Sequence, residues 1–383
     1  MATQLSIESR LEKKRKTLLG APVNKTACIL IDDVNMPAVE EYGAQPPIEL
    51  LRQMQDSGGF YDRKKLFWKS IEKTTLLLCA APPGGGRNEL TPRFTRHFHL
   101  LCMQNTSEEA MMVIFNSIVN GFLGKFKSDI QMLGSAAVAS TIEIFNRISE
   151  ELLPTPSKSH YVFNLRDISK VMQGILMVKP QCCGSTAAFT RLWVHECSRV
   201  FHDRLINSED KMWFKESCMR LLKQKFRWDG PLESTFEEHV IIWGNFLRPG
   251  AETKVYEEVR DFNKLKKILE DYCDDYNLSH ASQMNLVFFT DCVEHICRAA
   301  RIIAQPRGNM MLVGVGGSGR QSVVRLCSSI QETNMCEIEI TKGYGTDQFR
   351  ENLKEFVQKP GGSEGKDTIF LFNDTQIIVE GFL

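Results

Sequence analysis

The residues best placed to do chemistry lie in a glycine-dense stretch, Gly314-Val315-Gly316-Gly317-Ser318-Gly319, followed by Arg320-Gln321-Ser322. It comes after the apolar run 310–313 and opens a segment with helical spacing. At such a junction, the unpaired N–H groups of the first helical turn and the helix dipole attract an anion. Glycine lets the backbone approach a phosphate closely, and a purely structural turn has no need of so many glycines. The loop by itself fits two ligands. Gly314, Gly316 and Gly319 satisfy G-x-G-x-x-G, and Glu339 lies about twenty residues on, which is the dinucleotide fingerprint. Gly314 and Gly319 equally match the ends of the P-loop G-x-x-x-x-G-K-[ST], with Arg320 in place of Lys and Gln321 in place of Ser/Thr.

Two further constellations sit upstream. The apolar run 27–31 ends in Asp32-Asp33, a Walker B arrangement. One acid of such a pair holds a Mg²⁺ shell through water, and the other orients an attacking water. Two acids also simply end many strands. Arg93 and Arg96, in Pro92-Arg93-Phe94-Thr95-Arg96, have the spacing of a finger reaching a neighbouring phosphate, and equally that of a solvated surface pair. Cys292, His295 and Cys297 are three potential metal ligands, but a structural zinc site needs four at recognisable spacing, and no C-x-x-C occurs. The twelve cysteines read as buried, reduced thiols of a cytosolic compartment.

The elements that must position these groups follow from periodicity and punctuation. Residues 4–18 have amphipathic helical character, with Lys13-Lys14-Arg15-Lys16 on a solvated face, up to Gly20 and Pro22. Runs 27–31, 74–81 and 98–102 suit buried parallel strands. Pro46-Pro47 opens a helix to about Asp56, and 60–62 with 66–70 form a hairpin. From Ser107, an N-cap, the chain turns helical: to about Phe122, then 129–152, 165–177, 185–207 and 209–224. Residues 227–250 are connective, punctuated by Gly230-Pro231 and Pro249-Gly250. Helices at 261–276 and 284–304 lead to a second α/β unit: strand 310–313, the glycine loop, helix 322–330, strand 337–340, helix 346–358 and strand 368–372.

Composition narrows the function classes. Lys plus Arg (47) equals Asp plus Glu (47), so bulk charge attracts neither nucleic acid nor an anionic membrane. Residues 1–10 have no apolar signal core, and no apolar run is long enough to span a bilayer.

Longer strings carry a family resemblance. Leu30-Ile31-Asp32-Asp33-Val34-Asn35-Met36-Pro37 and Tyr42-Gly43-Ala44-Gln45-Pro46-Pro47-Ile48-Glu49-Leu50-Leu51-Arg52 resemble the third AAA+ module of dynein heavy chains. So do Pro82-Pro83-Gly84-Gly85-Gly86-Arg87-Asn88, Thr91-Pro92-Arg93-Phe94 and Phe163-Asn164-Leu165-Arg166-Asp167. Met284-Asn285-Leu286-Val287-Phe288-Phe289, the glycine loop and the region 370–377 resemble the opening of the fourth module in axonemal members. The resemblance runs across essentially all 383 residues.

It implies an α/β P-loop NTPase fold of AAA+ type: a parallel sheet with helices on both faces, an all-helical lid, and an incomplete second large domain. The implied boundaries are 1–105 for the latter part of the third large domain, 106–226 for the lid, 227–283 for a connector and 284–383 for the start of the fourth. Asp32 is then the Mg²⁺-associated acid and Asp33 the hydrolytic one, where hydrolysing members usually carry the longer Glu. Arg93 and Arg96 match the finger pair that serves the preceding module, and Arg166 the sensor-II arginine of the lid. The sensor-I position falls near 79–81, which is apolar here. In the fourth module Gly314, Gly316, Gly317, Ser318, Gly319, Arg320, Gln321 and Ser322 face the nucleotide. Asn373 takes the Walker B metal position, and Asp374 is the carboxylate left to that motif for metal or hydrolytic duty.

The resemblance further implies ATP/ADP and Mg²⁺ as ligands. Implied partners are neighbouring modules of the same heavy chain, dynein intermediate and light chains, and microtubules through a stalk; nucleic acid and membrane are not expected. Its setting is the cytoplasm, as part of the cytoskeleton of the ciliary or flagellar axoneme. A P-loop upstream of residue 1 and a stalk downstream of residue 383 are expected, so the chain reads as a fragment or short isoform with little activity alone. Competing expectations are a truncated, non-catalytic scaffold and a dinucleotide-binding oxidoreductase.

Overall fold

In a computed structural model the described residues are 2–84, 86–228, 241–251, 253–362 and 365–382. Gly85 and the Gly230-Pro231 punctuation lie outside them. The chain divides into two compact units, Met1–Asn105 and Thr106–Leu383.

In the first unit, helix α1 (Ala2–Arg10) is followed by strands β1 (Glu12–Arg15), β2 (Leu18–Gly20) and β3 (Ala27–Ile31), then helix α2 (Pro46–Ser57). Strands β4 (Gly59–Tyr61), β5 (Trp68–Glu72) and β6 (Thr74–Leu78) precede the short helix α3 (Pro92–Thr95). The expected helix over 4–18 is therefore half helix and half hairpin. The basic run lies largely on β1, whose four residues are all exposed, antiparallel to β2. Pairing decides this: β2 lies parallel to β5, which buries Leu19 and Ile71, and that contact overrides local helix propensity. Asp62 closes the β4–β5 turn. The Lys69 ammonium and the N–H groups of Lys65 and Lys64 hold its carboxyl down to about 2.

β3 and β6 run parallel in the register Ala27↔Thr74 to Ile31↔Leu78. Their apolar runs suit burial on both faces, but the two strands alternate. Ile29, Ile31 and Leu76 pack on a core of Ile48, Leu51, Met54, Phe60 and Phe94, whereas Leu30 and Leu77 are 66% and 53% exposed. The stretch expected as a strand at 98–102 pairs with nothing among the described residues, and Leu100 and Leu101 face solvent.

The second unit opens with helices α4 (Glu108–Leu123), α5 (Ser128–Glu151), α6 (Leu165–Ile175), α7 (Thr186–Val200) and α8 (Ser208–Lys225). Ser107 caps α4, its Oγ accepting from Ala110 N at 3.2 Å. Asn164 and Asp167 form a capping box on α6. These helices enclose one core around Val119, Ala137, Ile142, Phe189, Trp193 and Phe214. The segment expected to be helical to 207 breaks after Val200 into a single 3-10 turn, His202–Arg204.

Strands β7 (Trp243–Gly244) and β8 (Glu257–Glu258) pair antiparallel and lead to helices α9 (Phe262–Ser279), α10 (Thr290–Ile303) and α11 (Arg320–Gln331). Strand β9 (Asn334–Glu337), helix α12 (Thr346–Gln358) and strand β10 (Thr368–Leu371) complete the order, with β9 and β10 parallel. The expected helix from 284 begins only at Thr290. The Asn277 amide ties down the Met284 backbone instead, accepting from its N–H at 2.7 Å and donating to its carbonyl at 2.9 Å. Likewise 310–313 is not a strand. A strand exists through its partner, and Met311 and Val313 stand 89% and 86% exposed with none among the described residues.

α7 meets α10 along a buried row of charge. The Glu196 carboxylate, fully buried, accepts from Tyr256 Oη at 2.6 Å and from the Arg301 guanidinium. Arg199 and Arg298 flank Asp203 at 2.9 and 3.4 Å, and Arg298 also pairs with Glu294 at 2.8 Å. Burial acts to raise the Asp203 carboxyl, but these cations bring it below its ordinary value. His195 beside them is held neutral, foremost by burial and then by Arg199 and Arg301.

Candidate functional site

In open parallel α/β sheets, ligands collect at the carboxyl ends of the strands. At that end of β3 and β6 the two following loops are stitched together. Cys79 N donates to Ile31 O at 2.9 Å, and Val34 N to Cys79 O at 3.0 Å. Asn35, 2% exposed, donates through Nδ2 to Ala81 O at 2.8 Å and Asn88 O at 3.1 Å. Asn88 and Gln45 each donate to Pro37 O, at 2.9 and 2.8 Å.

This frame sets the acids. Asp32 is exposed, and its Oδ1 accepts from Asp33 N at 3.0 Å. Asp33 sits at φ +47°, a left-handed backbone that Asp tolerates better than most side chains. Its Oδ1 is engaged by Arg87, with Nε and one terminal nitrogen both at 3.1 Å. Gly84 and Arg87 exchange backbone hydrogen bonds at 2.9 and 3.1 Å. Gly84 at φ +127° and Gly86 at φ +86° adopt backbone that L-residues avoid. The side chains at 79–81 offer no hydrogen-bonding group apart from the Cys79 thiol. Hard carboxylate oxygens, with Asp32 open to solvent, suit a Mg²⁺ ion, which is bound through one or two carboxylates and several waters. The buried Asn35 Oδ1 has no hydrogen-bond partner among the described residues.

Arg93 lies on α3 and Arg96 is the residue that caps its end. Arg93 is exposed and makes no ion pair among the described residues, whereas Arg96 is drawn onto α2 through Asp56 at 2.9 Å. Arg166 is exposed in the first turn of α6, where its N–H donates to the Asn164 cap at 2.9 Å. Its neighbour Asp167 is buried and paired with Arg204 at 2.8 Å.

The glycine loop leads directly into α11. Gly319, at φ +77°, is the N-cap, and Gly317 has φ +80°. No atom lies within 4 Å of where a Cβ would stand on Gly316, Gly317 or Gly319, so the backbone is open to an incoming anion. Gly314 is the tight one, 3.0 Å from Ser318 Oγ on the same measure. The first intrahelical bond is Val323 N to Gly319 O at 2.9 Å, which leaves the N–H groups of Arg320, Gln321 and Ser322 for a ligand. Past β10, Asn373 N donates to Gln376 Oε1 at 2.8 Å, and Gln376 Nε2 to Ile338 O at 2.8 Å. Asp374 is exposed, with Oδ1 accepting from Thr375 N at 3.0 Å. No hydrogen bond or ion pair among the described residues joins this pair to the glycine loop. None of the described residues forms a cluster of three or more His, Cys, Asp or Glu side chains able to hold a metal.

The structure adds Arg87 and Asn35 to the residues that spacing singles out. Three glycines before an arginine after a strand are the available signal for Arg87; Asn35 has none, because its burial depends on a partner loop 46 residues away.

Comparison with known proteins fits this geometry. Residues 1–106 match the family described as P-loop containing dynein motor region, 137–234 the AAA+ lid domain, and 284–383 the P-loop containing dynein motor region D4. The dinucleotide reading of the glycine loop is thereby overturned, and Glu339 lies two residues beyond β9 rather than on it. Dynein axonemal heavy chain 6 of Homo sapiens is 50% identical over 383 residues, covering 100% of this chain and 9% of the relative. Dynein axonemal heavy chain 1 of Mus musculus is 43% identical over 396 residues, covering 100% and 9%. Dynein axonemal heavy chain 3 of Mus musculus is 40% identical over 393 residues, covering 100% and 10%. The chain thus spans about a tenth of the length of the curated relatives it matches. With two P-loop motor-region matches flanking a lid, and this identity along its whole length, the chain belongs to the axonemal dynein heavy-chain family.

Proposed function

We propose that this chain supplies two regulatory nucleotide-binding modules to the ring of an axonemal dynein, the microtubule motor of cilia and flagella. The observation that carries the reading is the glycine-capped start of α11, with open space over Gly316, Gly317 and Gly319 and three unpaired N–H groups behind it. ATP or ADP with Mg²⁺ would supply phosphates and a divalent charge. Arg320 keeps the positive charge that faces them, though as a planar fork rather than the usual ammonium. Gln321 has no hydroxyl for a metal, and Asn373 is neutral where a carboxylate is usual, so this module retains rather than hydrolyses.

In the first module Asp32 would hold the metal's water shell and Asp33 would orient water. Asp33 is shorter than Glu and is engaged by Arg87, and a small displacement of such a group costs about a hundredfold in rate. Arg93, with Arg96, would serve the preceding module's phosphates, and Arg166 those of its own. Other heavy-chain modules, intermediate and light chains, and microtubules would be the partners, in the axoneme.

Mg-ATP should raise the chain's melting temperature while NAD leaves it unchanged, and turnover should stay below about 1 s⁻¹, the low end of the ordinary enzyme range. Protection by NAD alone, or turnover above that rate abolished by Arg320→Ala, contradicts the reading. A non-catalytic scaffold is the alternative, favoured by the Arg87–Asp33 pairing, and indifference to Mg-ATP would support it.

A further inference from the structure

We infer that Arg87 is a terminal-phosphate sensor of the first module, resting on Asp33 when no terminal phosphate is present and releasing it when one arrives. The inference rests on the reading above that a nucleotide is held at the carboxyl ends of β3 and β6. Its own support is the geometry of one ion pair and of the loop that carries it.

The backbone beside the side chain is well bonded: Arg87 exchanges hydrogen bonds with Gly84, and the next residue, Asn88, accepts from Asn35 and donates to Pro37 on the loop bearing Asp33. The guanidinium is held less firmly. Both of its bonds fall on one oxygen, Asp33 Oδ1, at 3.1 Å, so this is not the two-oxygen fork that makes arginine–carboxylate pairs strong. The side chains are 33% and 43% exposed, and exposed pairs of this kind contribute little. Arg87 thus presents a weakly held, planar cation at the strand edge where phosphate is expected.

A doubly charged phosphate with three acceptor oxygens competes well for such a fork. The neighbouring side chains at 79–81 bring no positive charge and no amide, so at this edge the cation comes from the guanidinium. The exchange also bears on Asp33. While the guanidinium occupies Oδ1, only Oδ2 is free to accept from a water; once it leaves, both carboxylate oxygens are. No bond to phosphorus is made or broken in the switch itself.

The test is structural and specific to this module. The motor ring of an axonemal heavy chain carrying this stretch is imaged by electron cryomicroscopy with ADP, and again with ADP and beryllium fluoride. With ADP, the guanidinium of Arg87 should rest on Asp33. With ADP–beryllium fluoride, it should stand within hydrogen-bond distance of the fluoride and no longer pair with Asp33. Arg87→Ala should retain ADP and lose the fluoride from this module in the same mixture, and Arg87→Lys should recover part of it. Arg87 remaining on Asp33 with beryllium fluoride bound, or Arg87→Ala holding the fluoride fully, overturns the sensor while leaving nucleotide binding intact. Absence of any nucleotide at this module in the unaltered ring overturns the underlying reading, and the sensor with it.

Discussion

Arg93 and Arg96 occupy one helical turn yet have different surroundings. Asp56 collects Arg96 and His97 at 2.9 Å on one oxygen and Arg52 at 2.7 Å on the other. Arg96 is the main reason its carboxyl lies below the usual range. Removing Arg96 leaves Asp56 with Arg52 and His97, and Arg93 has no ion pair to lose among the described residues. Arg93→Ala with Arg96→Ala should therefore leave the melting temperature of this chain nearly unchanged. In an assembled ring the same pair should weaken nucleotide retention in the preceding module, measured as faster release of a fluorescent ADP. Unfolding of the chain would make these residues structural; an indifferent ring would remove the finger assignment.

The joint between α7 and α10 depends on buried charge. Glu196 neutralises Arg301 out of reach of water, so truncating it strands a guanidinium. Losing one partner of a buried pair costs about 3–5 kcal/mol, whereas replacing both with apolar groups of similar volume is often neutral. Glu196→Ala should lower the denaturation midpoint by that order, and Glu196→Leu with Arg301→Met should recover most of it. Gly174 on α6 tests the same joint from the other side. A Cβ there would overlap Glu196 Oε2, and that carboxylate cannot swing away while Tyr256 and Arg301 hold it. Gly174→Ala should therefore destabilise, although alanine is better than glycine in a helix by about 1 kcal/mol. Urea titration of each variant reads the sign. A stabilised Gly174→Ala would mean that the carboxylate is free to move.

Across the whole chain, the equal charges and the thiols remain the clearest global properties. No helix among the described residues is long and apolar enough to cross a membrane. All twelve cysteines are free. Cys28, Cys79 and Cys102 are exposed, and Cys182 and Cys292 are half-covered. The rest are buried, and burial, as the largest cause, pushes thiols such as Cys183 and Cys297 up to about 12. An Ellman titration of the native chain should give three fast equivalents and the full twelve only in denaturant. Fewer than twelve in denaturant without reductant would show a disulfide that the structure lacks.

Residue order alone determined the features that depend on local chemistry. The apolar run ending in Asp32-Asp33, the Ser107 cap, helix Thr346–Gln358 and the glycine cap of α11 are written in consecutive residues, and each forms where its own backbone demands it. Long identity strings carried the family for the same reason. Tertiary structure decided whatever needed a distant partner. The segments 98–102 and 310–313 have strand composition but no neighbour to bond among the described residues, while the charged residues at 12–15 became a strand because β2 lies beside them. The pairing of Arg87 with Asp33, 54 residues apart, and of Glu196 with Arg301, 105 apart, was invisible for the same reason. Spacing reports periodicity within an element, whereas the meeting of two side chains depends on register and packing between elements, which only the folded chain sets.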